Sequence, residues 1–168
     1  MADYKDPENT LLIETTKGPV VIEMRPDLAP NHVAHIKKLA REGAYDGVVF
    51  HRVIDGFMAQ TGDVKFGKSG SGDTSRAGMG GSSYPDLKAE FNAEPHTRGV
   101  VSMARSQNPN SANSQFFIVF DDARFLDRQY TVWGKVIDGM DNVDKIKRGE
   151  PVRDPDSMVS VKVAADAA

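Results

Sequence analysis

The 168-residue chain contains no cysteine, an absence that removes disulfides, thiolate nucleophiles and cysteine-ligated metals together. It leaves the redox compartment open, and the cytoplasm is the expected location. No apolar run approaches the roughly 20 residues a membrane helix needs. The first residues, MADYKDPENT, lack the apolar core of a signal peptide, so export by that route is not expected. They are polar and read as frayed, and their DYKD string suits a native segment or a tag remnant equally. An excess of one charge is lacking too: 21 Lys and Arg face 24 Asp and Glu, a formal net charge of -3. Neither nucleic acid nor an anionic membrane is an expected partner. No serine occupies a G-x-S-x-G elbow. The chemistry is expected to proceed without a nucleophile.

What is present suits one domain with one sizeable core. Leu11 to Glu14 and Val20 to Met24 are short β-branched runs separated by Thr15 to Pro19, whose Gly18 and Pro19 suit a turn, which predicts an opening hairpin. Pro30 begins a helix whose apolar stripe is Val33, Ile36, Leu39 and Ala40, with Gly43 as its stop. Further strands are predicted at Val48 to Ile54, Phe57 to Thr61, Val100 to Ala104, Gln115 to Phe120, Thr131 to Ile137 and Val159 to Val163. Met140, Val143 and Ile146, followed by Gly149, predict a second short helix. So few helices among so many strands argue for a β-barrel against a parallel α/β sheet. Gly67 to Ser83, rich in glycine and serine and nearly devoid of apolar residues, is a long surface loop with even prospects of touching substrate.

Two motifs compete for a functional role. Gly62 to Ser69, GDVKFGKS, satisfies the G-x-x-x-x-G-K-[ST] pattern of a phosphate-binding loop, and Phe116 to Asp121 ends an apolar strand in a carboxylate. That loop works only where a helix follows and aims its N-terminal amides at the anion. Here Gly70 and Gly72 cost on the order of 2 kcal/mol of helix propensity, and no apolar helical stripe follows, which disfavours a nucleotide hydrolase. His32 and His35 lie i, i+3 on the predicted helix, but no third ligand is evident, so packed or solvated imidazoles are the simpler reading and no metal is expected.

The strongest signal is Phe50 to Asp63, FHRVIDGFMAQTGD, in which one arginine and one glutamine interrupt a large apolar cluster. A guanidinium keeps its charge and is rarely buried unpaired, so Arg52 is expected to face a cleft. His51, beside it on a strand, points to the opposite face. The same alternation separates Phe116 from Phe117 in SQFFIV, leaving one for the core and one for a ligand.

Together with RGVVSMAR (Arg98 to Arg105), NSANSQFFI (Asn110 to Ile118) and FLD (Phe125 to Asp127), that segment resembles the cyclophilin-type peptidyl-prolyl isomerases, in the family's order and from about Thr10 to Val163. The resemblance implies an all-β fold in the main, a closed antiparallel eight-stranded barrel capped by two α-helices. It implies one isomerase domain over residues 10–164, with flexible ends at 1–9 and 165–168. The activity implied is rotation about X-Pro bonds in unfolded or flexible polypeptides by a monomer without cofactor. A proline-peptide-binding chaperone or scaffold is the alternative. By the same likeness Arg52 and Gln60 are catalytic, Gln60 orienting the guanidinium or the substrate carbonyl. Phe57, Met58, Phe117 and Leu126 line the proline pocket, Ala104, Arg105 and Ser106 bind substrate backbone, and Gln115 is a second polar contact. Arg105 departs from the family's common asparagine. Phe125 and Tyr130, also expected at the substrate, replace the tryptophan and histidine of many eukaryotic members. Phe lacks the indole N–H, so weak cyclosporin binding is expected.

Overall fold

A computed structural model describes residues 5–68, 77–150 and 152–166. The predicted hairpin is strand β1, Thr10–Thr15, against strand β2, Gly18–Met24. Helix α1, Pro30–Arg41, buries the expected stripe of Val33, Ile36, Leu39 and Ala40 and ends before Gly43, whose φ is 74°. Its N-terminus has no local side-chain cap. The backbone amides of Asn31 and His32 donate instead to the Glu90 carboxylate, at 3.2 and 2.9 Å, and the His32 ring adds a contact of 2.6 Å. Those orphan donors are thus satisfied from a distant segment, which ties residues 84–98 to the helix.

Strands β3 (Val48–Val49), β4 (Arg52–Ile54), β5 (Met58–Thr61), β6 (Val100–Met103), β7 (Phe116–Val119), β8 (Val132–Asp138) and β9 (Ser157–Val163) follow. All pair antiparallel in one nine-stranded sheet of order β3-β9-β1-β2-β8-β6-β7-β5-β4. The edge strands β3 and β4 are separated in sequence only by Phe50 and His51, so the sheet must curl until its edges lie side by side. Thr61 Oγ1 crosses that seam to Val49 O at 2.8 Å. The expected run Val48 to Ile54 is two strands because Phe50 N bonds Asp156 O (2.8 Å) and His51 O accepts from Val152 N (3.1 Å). The count is therefore nine, and no ladder between β3 and β4 closes the barrel among the described residues. Helix α2, Met140–Val143, is shorter than its predicted stripe, although Ile146 still packs into the core. Among the described residues no helix is long and apolar enough to cross a membrane.

Alternation along the strands sorts side chains into two clusters. Ala59, Val101, Met103, Phe116 and Ile118 join the main core inside the curl with α1 and Trp133. Met58, Val100, Phe117 and Val119 face the other way and form a second cluster with Ala123, Leu126 and Val132. This explains why FFIV is buried throughout: both faces of the sheet are covered here, and period-2 patterning disappears from the sequence.

Candidate active site

A single row of cross-strand partners builds the centre of the site. Arg52 on β4 stands opposite Gln60 on β5, Gln60 opposite Phe117 on β7, and Phe117 opposite Ser102 on β6. Facing residues in antiparallel strands bring their side chains together on one face, so register alone sets a guanidinium, an amide and an aromatic ring in line over the second cluster. Above them opens a hollow of about 140 Å³ lined by Arg52, Phe57, Met58, Gln60, Ala104, Arg105, Phe117, Leu126 and Tyr130. All of these were named from the sequence. Of the others, Ser106 and Gln115 line a larger, adjoining hollow of about 480 Å³ that shares Gln60, Ala104 and Arg105. Phe125 lines neither hollow. It stands on the rim, 73% exposed, with its ring 5.6 Å from that of Phe57.

Arg52 faces the hollow but is not unpaired. Its Nε donates to Glu150 Oε2 at 2.5 Å and its Nη1 to Gln60 Oε1 at 3.3 Å. Glu150 is exposed and lies on the surface, so the pair keeps the guanidinium at the mouth of the hollow. Gln60 Nε2 donates onward to Gln115 Oε1 (3.0 Å), and Gln115 Nε2 to the carbonyls of Gly78 (3.0 Å) and Gly80 (2.8 Å). Each amide has its oxygen toward Arg52 and its nitrogen toward the glycines, so the chain has one polarity.

The floor is held by a residue the sequence did not single out. His96 is stacked on Phe117 with ring centroids 6.2 Å apart, bonded through Nε2 to Ser102 Oγ (3.0 Å) and through Nδ1 to Asp127 Oδ1 (3.2 Å). Burial pushes its pKa down, opposed by Asp127. Partial burial raises the Asp127 carboxyl, yet bonds from Arg124 and the His96 amide bring it to about 2. Phe117 also meets Tyr130 edge-on at 5.7 Å, and the Arg105 guanidinium lies 4.6 Å from the Tyr130 ring centroid. His96 shows no periodic signal in the sequence; only its place just ahead of the RGVVSMAR block hints at it.

The phosphate-loop pattern has a different explanation. Asp63, fully buried, accepts from the amides of Lys65 (3.0 Å), Phe66 (2.8 Å), Gly78 (2.8 Å) and Gly80 (2.9 Å). Within the motif, the amides of Lys65 and Phe66 are thus occupied by the chain's own carboxylate, and that of Gly67 by the Asp63 carbonyl at 2.8 Å. Lys68 Nζ turns to the carbonyls of Asp46 and Gly43, at 2.7 and 3.5 Å. The strand Phe116–Val119 belongs to an antiparallel sheet, whereas such hydrolases use parallel ones. Ser69 and the start of the helix the motif would require, along with residues 69–76 of the predicted Gly67 to Ser83 loop, lie outside the described residues. His32 and His35 are buried, one against Glu90 and the other edge-on to Tyr84 at 5.8 Å.

A curled antiparallel sheet bearing an apolar hollow, with a guanidinium at its edge and a polar trough beside it, is a surface suited to an extended peptide with one greasy residue. The comparisons give that surface its family. The model of the cyclophilin type peptidyl-prolyl cis-trans isomerase/CLD family matches residues 10–165, and the chain belongs to that family. A "Probable peptidyl-prolyl cis-trans isomerase" of Brucella suis biovar 1 is 63% identical over 171 residues, 98% of this chain and 87% of the relative. The crystal structure of cyclophilin AquaCyp293 from Hirschia baltica superposes with a TM-score of 0.85 at 36% identity, covering 97% of this chain and 76% of the other. A Cryptosporidium parvum cyclophilin type isomerase, crystallised in the presence of the dipeptide Ala-Pro, gives 0.79 at 26% identity over 92% of this chain and 98% of its own. The chain is thus a peptidyl-prolyl cis-trans isomerase.

Proposed function

We propose that the small hollow seats the proline ring of a flexible polypeptide while Arg52 lowers the barrier to rotation of the preceding peptide bond. That barrier, roughly 18–20 kcal/mol, arises from C–N double-bond character. In the twisted transition state the prolyl nitrogen regains its lone pair and can accept a hydrogen bond it could not accept when planar. A guanidinium beside it therefore binds the transition state more strongly than either ground state, the condition for catalysis. No bond is made or broken. The observation that carries the reading is the placement of Arg52 at the lip of a hollow walled by Phe57, Met58, Phe117 and Leu126, its Nη1 held by Gln60 at 3.3 Å. Gln60 and Gln115 then position the guanidinium and meet substrate carbonyls, and Ala104 to Ser106 offers backbone to the residues before the proline.

The Ala-Pro dipeptide named with the Cryptosporidium relative supports proline-containing peptides as ligands. The site is complete within one chain, which supports action as a monomer. Phe125, exposed and without an N–H, supports weak cyclosporin binding. Exchange NMR on a short proline peptide tests the mechanism. Arg52→Ala is expected to lower kcat/KM by about 10²-fold, the loss typical of one preorganised donor, with peptide affinity little changed. Equal exchange rates for wild type and variant would show a binding module in place of an arginine-driven isomerase.

A further inference from the structure

Two guanidiniums flank the small hollow, and their surroundings differ. Arg52 has the Glu150 carboxylate beside it, at 2.5 Å. Arg105 is held by neutral groups: Nε and Nη2 donate to Gln129 O at 3.1 and 2.6 Å, Nη1 to Ser106 O at 2.9 Å, and the Tyr130 ring lies 4.6 Å away. Among the described residues Arg105 forms no ion pair. Carbonyl oxygens fix the position of a guanidinium without cancelling its charge, so Arg105 is a preset and unneutralised cation. It stands where the two hollows meet, lining both. Lys65 lines the larger one as well, and Asp86, which accepts from Asn113 Nδ2 at 3.0 Å, is the carboxylate in its lining.

On the reading above, which this inference presupposes, the chain preceding the proline leaves the small hollow along Ala104 to Ser106 toward the larger one. Its side chains pass Arg105. We propose that the cleft selects peptides carrying an acidic side chain on one of the two residues before the proline, and that Arg105 is the specificity-determining cation. The net charge of the whole chain is -3, so long-range attraction favours basic peptides. A preference for acidic ones has to originate locally.

The experiment compares kcat/KM by exchange NMR for Ala-Xaa-Pro-Phe and Xaa-Ala-Pro-Phe peptides with Xaa as Glu, Gln or Lys, at low and high salt. In one of the two series Glu should exceed Gln by roughly three- to fivefold and Lys should fall below it, as for an exposed ion pair. The spread should collapse toward 1 M salt, where the screening length is about 3 Å. Arg105→Gln should abolish the Glu-to-Lys ratio, and Arg105→Lys should keep part of it. Equal rates for Glu, Gln and Lys at low salt would overturn the proposal, as would a ratio that survives in Arg105→Gln. Turnover of the Gln peptides that does not depend on Arg52 would instead indict the isomerase mechanism, since those peptides carry no charge for Arg105 to read.

Discussion

At the scale of single residues the site turns on what holds one guanidinium. Glu150 takes the Arg52 Nε–H and Gln60 takes one Nη1–H, which leaves Nη2 without a hydrogen-bond partner among the described residues. Both members of the ion pair are well exposed, at 42% and 57% of their side chains, so its worth to folding is small, below about 1 kcal/mol. On the mechanism proposed above, its worth to catalysis is geometric, because a misplaced donor loses far more rate than stability. Glu150→Ala is therefore expected to leave the melting temperature nearly unchanged while reducing kcat by roughly two- to tenfold. Glu150→Gln, which retains an acceptor oxygen for Nε, should restore most of that loss. Parallel thermal melts and exchange assays read both. Arg52 was legible in the sequence because a lone cation among apolar residues is chemically conspicuous. Glu150 was not, lying 98 positions further along in a charged, turn-rich stretch that gives no hint of its partner.

At the scale of elements, the run from Asp63 through Gly78 and Gly80 to Gln115, Gln60 and Arg52 couples a loop to a strand edge. Four backbone amides converge on one buried carboxylate. Asp63→Asn would turn an NH₂ toward donors and strand at least one of them, at about 1–3 kcal/mol for each buried group left unmatched. Urea unfolding should show a loss of that order, and the Gly78 and Gly80 amides should exchange faster than their neighbours. A Cβ on Gly80 would lie 2.7 Å from both Asp63 Oδ1 and Phe66 Cδ2, so Gly80→Ala should loosen the same loop by crowding. In both variants kcat should fall together with the loop's protection. Normal protection with reduced kcat would detach the loop from Arg52. Alternation correctly divided Phe116 from Phe117, since their faces follow from period 2 alone. The register that sets Arg52, Gln60 and Phe117 in one row was hidden, because it depends on pairings between strands far apart in sequence.

Across the whole molecule the order of the elements was readable, whereas the seam of the sheet was not. A break at Phe50–His51 arises from tertiary hydrogen bonds to residues 152–156, and no local propensity marks it. That seam also buries His51, whose ring nitrogens have no partner among the described residues. All four histidines, His32, His35, His51 and His96, are buried. Burial depresses each of them, His51 to about 4. A folded-state pKa below the unfolded value of roughly 6.5 means that the unfolded chain takes up protons first as pH falls. The stability these rings contribute is then complete above about pH 6.5 and is lost as pH drops toward 4, with His51 accounting for about 3 kcal/mol of it. Carboxylates add a second loss at lower pH, since Glu8, bonded by Arg41 and Lys37, and Asp127 both sit at about 2 when folded. Melting temperature should accordingly be flat above pH 7 and fall steadily from there to pH 4. His51→Leu should flatten that slope by about one proton's worth, roughly 1.4 kcal/mol per pH unit. A melting temperature that stays constant between pH 7 and pH 5 would show that the buried rings take up protons in the folded protein as readily as in the unfolded chain, and that the packing around the seam is looser than these contacts require.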